Sequence, residues 1–245
     1  MTYTYSQIPW LLCLILIALV FYLYLRLSQN TPVIKTNKLR KNMSAQEALD
    51  MLLQGNNEYI QSGTSEFDRK SVAHSQHPCA IILSCSDSRV SPELIFNQLH
   101  VGNLFIVRNA GNILDEMVLG SIEYGVKHLA SPLIIVLGHD RCEAIKATVE
   151  SVLENQIECS SHIKHIINIM KPTAQDIIDD MKIGTEISVE TKNEIIKKTA
   201  FANIHRVMSK ISQNSVIISQ ALQENKIKLV GAYYDLDHGN LRFID

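Results

Sequence analysis

Apolar positions are spread unevenly along this chain, and they open as one block. Residues Ile8 to Leu25 read IPWLLCLILIALVFYLYL, eighteen positions without a charge. A bilayer core about 30 Å thick takes ~20 apolar residues in a helix, so the run predicts a membrane-spanning helix. Trp10 near one end, and Tyr22 and Tyr24 near the other, stand where interfacial aromatics gather. A cleaved export signal is the rival reading. It calls for a basic start and a small-residue cleavage site, whereas Met1 to Pro9 holds no Lys or Arg and no A-x-A follows Leu25. An uncleaved anchor fits better.

Beyond that block the pattern breaks into shorter periods. Ser44-Ala-Gln-Glu47 is a capping box. Ala45, Ala48, Leu49, Leu52 and Leu53 follow at helical spacing, predicting a helix to about Gln54 or beyond. Ala80–Leu83, Leu104–Val107 and Leu133–Leu137 are short, wholly apolar runs suited to buried parallel strands. Between the last two, Val118, Leu119, Ile122, Val126 and Leu129 share one helical face, and another helix is expected after Cys142. Residues 151–190 read as helical segments around Pro172, with a longer helix from about Glu194 to Ile211. Ile227–Tyr234 and Leu241–Ile244 return to strand, joined by a glycine-containing turn over Asp237–Asn240 that suits a hairpin. Strands alternating with helices predict an α/β fold: a mainly parallel central sheet flanked by helices. Residues 1–28 form an anchor or signal-like segment, 29–42 a tether, and 43–245 the globular domain.

Charge sharpens that division. The chain carries 23 Lys and Arg against 25 Asp and Glu, a net of −2. Its first 46 residues hold five bases (Arg26, Lys35, Lys38, Arg40, Lys41) and no acid, so the rest carries 18 bases against 25 acids, or −7. An acidic body argues against nucleic acid as a partner. The basic flank places the body in the cytoplasm by the positive-inside rule. A composition 46% apolar and 20% charged excludes a disordered chain.

The candidate chemistry lies at two strand ends. The first strand runs into Ser84-Cys-Ser-Asp-Ser-Arg-Val90 and the third into Gly138-His-Asp-Arg-Cys142. Sites in open α/β sheets form beyond the carboxyl ends of strands, so both loops could face one crevice. Cys85, His139 and Cys142 would then offer two thiolates and an imidazole, a donor set suited to zinc with its fourth position open. Asp87 could fill that position, or pair with Arg89 and leave it open to water. Each fragment alone is weak, since a single strand-end Cys is commonly an inert buried thiol. A cysteine-phosphatase loop would need more than the three residues between Cys85 and Arg89, and the zinc-deaminase pattern is absent. Five cysteines without an even framework fit metal ligation better than disulfides.

Cys85-Ser-Asp-Ser-Arg89 followed by Gly138-His-x-x-Cys142 resembles the β-class carbonic anhydrases. Leu104-Phe-Ile-Val-Arg-Asn-Ala-Gly-Asn112 is similar to that family's intervening segment, and Gly231-Ala-x-Tyr-Asp-Leu236 to one bacterial branch. The likeness runs from about Met43 to the end. It implies a β-carbonic-anhydrase-like fold, Zn²⁺ on Cys85, His139 and Cys142, and Asp87 with Arg89 as a gating dyad. The implied reaction is reversible hydration of carbon dioxide to bicarbonate and a proton, in a homodimer or higher assembly. Gln76, nine residues before Cys85, matches the substrate-orienting glutamine by offset. Glu143 stands where glycine is usual and is expected to face solvent from the first helical turn; Asn103 replaces a usual acid. His74, His77, His100 and His128 are the proton-shuttle candidates, each with a plain surface reading. Carbonyl sulfide or carbon disulfide hydrolysis on the same centre, and a zinc-stabilised binding module without catalysis, are the alternatives. Export signals in related sequences imply a periplasmic body instead of a cytoplasmic one.

Overall fold

The computed structural model describes residues 14–22, 43–61, 69–154, 160–182 and 187–244. It divides into two units, Met1–Ser62 and Gly63–Asp245. In the first, residues 14–22 are helical and exposed throughout. Among the described residues no helix is long and apolar enough to cross a membrane. The flanks of the expected span, 8–13 and 23–25, and the tether 29–42 lie outside the described residues. Helix α1 (Ala45–Gln61) starts at the expected box: the Ser44 amide donates to the Glu47 carboxylate at 2.7 Å, and the Glu47 amide to the Ser44 hydroxyl at 3.2 Å. It runs past Gln54 and buries none of its residues.

The second unit is built on a five-stranded sheet. Strands β1 (Ala80–Cys85), β2 (Leu104–Asn109), β3 (Leu133–His139) and β4 (Lys228–Tyr234) are parallel in the order β2-β1-β3-β4, and β5 (Leu241–Ile244) closes the edge antiparallel to β4. Its helices include α2 (Pro92–Ile95), α3 (Glu116–Lys127), α4 (Glu143–Leu153), α5 (Ser161–Asp180), α6 (Val189–Asn214) and α7 (Val216–Gln223), with a 3₁₀ turn at Ala110–Asn112. Each apolar run predicted a buried strand, and β1 is buried along its whole length. Ile81, Leu83, Ile134 and Val136 face the larger core with helices α3 to α7; Ile82, Ile135, Leu137 and Val230 face a smaller one with Val90 and Ile95. Helix α6 lies hard against the sheet. A Cβ on Gly138 or Gly231 would stand 2.7 or 2.6 Å from Ile204, closer than packed carbons approach.

The described part of the 151–190 region is helical around Pro172, and α5 continues through that proline from Ser161 to Asp180. An interior proline costs about 3 kcal/mol. Here Ile167, Met170 and Ala174 are buried where α5 packs on α4 and α6, and burying one large aliphatic side chain is worth about 1.5–3 kcal/mol. Packing outweighs the lost hydrogen bond.

β1 and β3 are neighbours in register, Ser84 beside Leu137. Their carboxyl ends therefore deliver Cys85 and His139 to the same edge of the sheet.

Candidate metal centre

Cys85 ends β1, His139 ends β3, and Cys142 forms the amino-terminal cap of α4. All three are buried, and their donor atoms lie within 4.8 Å of one another. The two sulfurs are 3.9 Å apart. Two thiolates on one tetrahedral zinc, at ~2.3 Å each, are separated by about 3.8 Å, so the spacing suits that ion. His139 supplies a second test. Its Nδ1 lies 2.8 Å from the Asp140 carbonyl oxygen, which can only accept, so Nδ1 carries the proton. Nε2 is then a bare lone pair, buried and without a hydrogen-bond partner. A buried acceptor left unpaired is costly, and a metal between it and the sulfurs would satisfy it.

The thiols respond to one another. Hydrogen bonding from Cys142 lowers the Cys85 pKa strongly, with the Gly111 amide, 3.4 Å from the sulfur, adding to the effect. The same shared proton, with burial, pushes the Cys142 thiol up. The pair thus holds one negative charge in common until a cation takes both sulfurs as thiolates.

Asp87 lies at the rim, its Oδ2 4.0 Å from His139 Nε2. Arg89 grips it as a fork: Nε to Oδ1 at 3.0 Å, Nη2 to Oδ2 at 2.7 Å, and the Arg89 amide to Oδ1 at 2.9 Å. That fork holds the Asp87 carboxyl down at about 2. Both carboxylate oxygens are engaged by Arg89.

The sequence reading assigned no role to Arg108. It rises from β2 and donates to three carbonyls of the Cys85 loop: Cys85 at 3.0 Å, Asp87 at 2.8 Å and Val90 at 2.7 Å. Its sequence signals are its place in the family-like Leu104–Asn112 segment and a base following four apolar strand residues. The second loop is held from β4: the Asp140 amide donates to the Tyr234 carbonyl at 2.9 Å, and the Tyr233 hydroxyl to Asp140 at 3.3 Å. Beside Arg89 and Cys142 a cavity of about 490 Å³ opens, lined also by Arg141, Lys197 and Tyr233.

Gln76 is not brought to this cluster. Pro78 accepts from Ser131 Oγ ahead of β3, and the Cys79 amide donates to Asn103 ahead of β2. The exposed Gln76, two residues earlier, therefore belongs with the amino ends of the strands, opposite the cysteines. Glu143 is 75% exposed and lies 3.6 Å from Lys146, directed to solvent. Asn103 donates to Gln98 and touches none of the ligands. His74, His77, His100 and His128 are exposed.

Comparison with known proteins points one way. Residues 80–241 match the sequence pattern of the family described as carbonic anhydrase. A carbonic anhydrase of Mycolicibacterium smegmatis is 33% identical over 173 residues, covering 71% of this chain and 78% of that one. Carbonic anhydrase 2 of Mycobacterium tuberculosis is 30% identical, covering 81% and 92%. Among solved structures the β-carbonic anhydrase CcaA is similar with a TM-score of 0.70 at 27% identity, covering 81% of this chain and 95% of the other.

Proposed function

Since the chain belongs to the β-carbonic anhydrase family, we propose that it hydrates carbon dioxide reversibly to bicarbonate and a proton. The observation that carries this is the convergence of Cys85, His139 and Cys142 beneath an Asp87 carboxylate gripped by Arg89. The family's zinc, when bound, makes a water nucleophilic near neutral pH. Cys85, His139 and Cys142 would hold the ion, with the Asp140 carbonyl fixing the imidazole tautomer. Asp87, fully ionised at neutral pH, can only accept hydrogen bonds. It therefore takes a proton contact from the reacting water and turns the oxygen lone pair toward the carbon of CO₂. Glu143, which raised the prospect of a binding module without catalysis, is 75% exposed and pairs with Lys146 on the cavity wall, outside the three-residue donor cluster. Stopped-flow CO₂ hydration by protein beginning at Asn42, with zinc assayed alongside, tests the proposal. Stoichiometric zinc without hydration between pH 7 and 9 would overturn it.

We further propose a homo-oligomer. β2 is an open sheet edge, and Met117 and Tyr124 of the neighbouring α3 are exposed; sedimentation analysis reads the mass. The amino-terminal run is proposed to anchor the chain in a membrane, on the strength of its eighteen uncharged residues and the exposed apolar helix at 14–22. Its basic flank favours a cytoplasmic body. Protease digestion of the body in intact spheroplasts would instead place it in the periplasm.

A further inference from the structure

Arg89 holds Asp87, but little in the packing holds Arg89, whose side chain is 46% exposed beside an open cavity. What fixes it is a second hydrogen bond. The same Nη2 that grips Asp87 also donates to the backbone carbonyl of Arg141 at 3.2 Å. The direction of that carbonyl is set by unusual backbone. Arg141 has φ of 49°, in the left-handed region that a residue with a β-carbon resists.

The Arg141 side chain supplies the compensation. Its Nε lies 3.1 Å from the Asp140 carboxylate, and its Nη2 donates at 2.8 Å to Asp237, in the hairpin between β4 and β5. Asp237 is itself fixed: its amide and that of His238 donate to Asp235 Oδ1 at 2.8 and 3.1 Å, and the Gly239 amide donates to the Asp235 carbonyl. An unbroken set of contacts runs from the hairpin through Asp237, the Arg141 guanidinium, the Arg141 carbonyl and Arg89 to Asp87.

We infer that Asp237 and Arg141 are positioning residues, and that the β4–β5 hairpin thereby sets how firmly Arg89 withholds Asp87 from the metal. This rests on the zinc reading above. Without Asp237 the Arg141 backbone is free to relax, its carbonyl turns away, and Arg89 can swing into the cavity. Asp87 then becomes a competing ligand for the fourth position.

The test uses the full-length metal-loaded protein with Asp237→Ala, the isosteric Asp237→Asn, and Asp237→Glu as conservative rescue. With stoichiometric zinc retained, kcat/KM near pH 7 should fall about tenfold, the lower end for groups that orient a metal site. The acid limb of the pH profile should move to higher pH, and Asp237→Glu should restore most of both. The visible spectrum of cobalt-loaded protein supplies a readout apart from turnover. Its pH-dependent transition should lie at higher pH in Asp237→Ala and Asp237→Asn than in wild type, and Asp237→Glu should return it to the wild-type position. Profiles and spectra indistinguishable from wild type in the first two variants would overturn the inference. A wild type that takes up neither zinc nor cobalt would overturn the zinc reading and this inference with it, and metal content separates that outcome from the first.

Discussion

The two loops that meet at the candidate metal centre are braced by different physics. The Cys85 loop is held from within. The exposed Arg108 side chain reaches back over the loop and donates to three of its carbonyls, and the Ser86 amide pairs with Asn109 as an extension of the sheet. The His139–Cys142 loop is held partly from outside, through Arg141, an exposed ion pair and the β4–β5 hairpin. The first brace belongs to the fold and is as permanent as the sheet. The second sits in water, where ion pairs are weak and salt-sensitive, so it can bias geometry while adding little stability. A centre built this way has one fixed wall and one adjustable wall.

The largest effect should come from removing a ligand, where the two walls are expected to behave alike. Cys85→Ser and Cys142→Ser should each lose stoichiometric zinc and reduce kcat/KM by at least about a hundredfold, beyond the usual cost of disturbing an outer partner. Zinc retained by one variant and not the other would show that the ligands are unequal as well as the braces.

Next comes the inner brace itself. Arg108→Ala leaves the Cys85, Asp87 and Val90 carbonyls without their donor. Partly buried acceptors so orphaned should cost about 3 kcal/mol together, read as a lower urea midpoint. Arg108→Lys should recover only part, because an ammonium cannot reproduce the fork. A loss below about 1 kcal/mol would place this wall among the adjustable ones.

The ligand loops were legible in the sequence because their signal is local. Short apolar runs ending in Cys85 and Gly138-His139 identified β1 and β3 and suggested one shared crevice, while the direct pairing of the two strands is a feature of the sheet order. The braces were not legible. Arg108 meets carbonyls 18 to 23 residues away, and Arg141 meets Asp237 across 96 residues. No periodicity or spacing rule connects such positions. Gln76 shows the limit of an offset: nine residues before Cys85 in sequence, it is separated from it within one subunit by the six residues of β1, which carry the chain from one end of the sheet to the other.

The Asp87–Arg89 fork spans the space between the walls, and acid probes it. The fork holds the Asp87 carboxyl at about 2, below its ordinary 3.8. A carboxyl depressed on folding stabilises the native state above its unfolded pKa and loses that contribution as pH falls through its folded one. In zinc-free protein, wild type should therefore exceed Asp87→Asn by about 1 kcal/mol at pH 5.5, a value reduced because half-exposed Arg89 is screened by solvent. The gap should close between pH 4 and 2. Denaturant titrations at pH 5.5 and 2.5 check this, and a gap that persists at the lower pH would assign the difference to shape instead of charge.

The smallest effect belongs to the outer brace. Arg141 is 52% exposed and Asp237 61%, and exposed pairs of this kind contribute about 0.2–1 kcal/mol at most. Asp237→Ala should thus shift the urea midpoint only slightly, by about 0.5 kcal/mol or less, and the shift should shrink further in 1 M salt as screening tightens. The contrast with about 3 kcal/mol for Arg108→Ala is what separates a wall that carries stability from one that only aims Arg89. If Asp237→Ala instead cost as much as Arg108→Ala, the hairpin would be part of the structural frame, and both walls would be fixed by the fold.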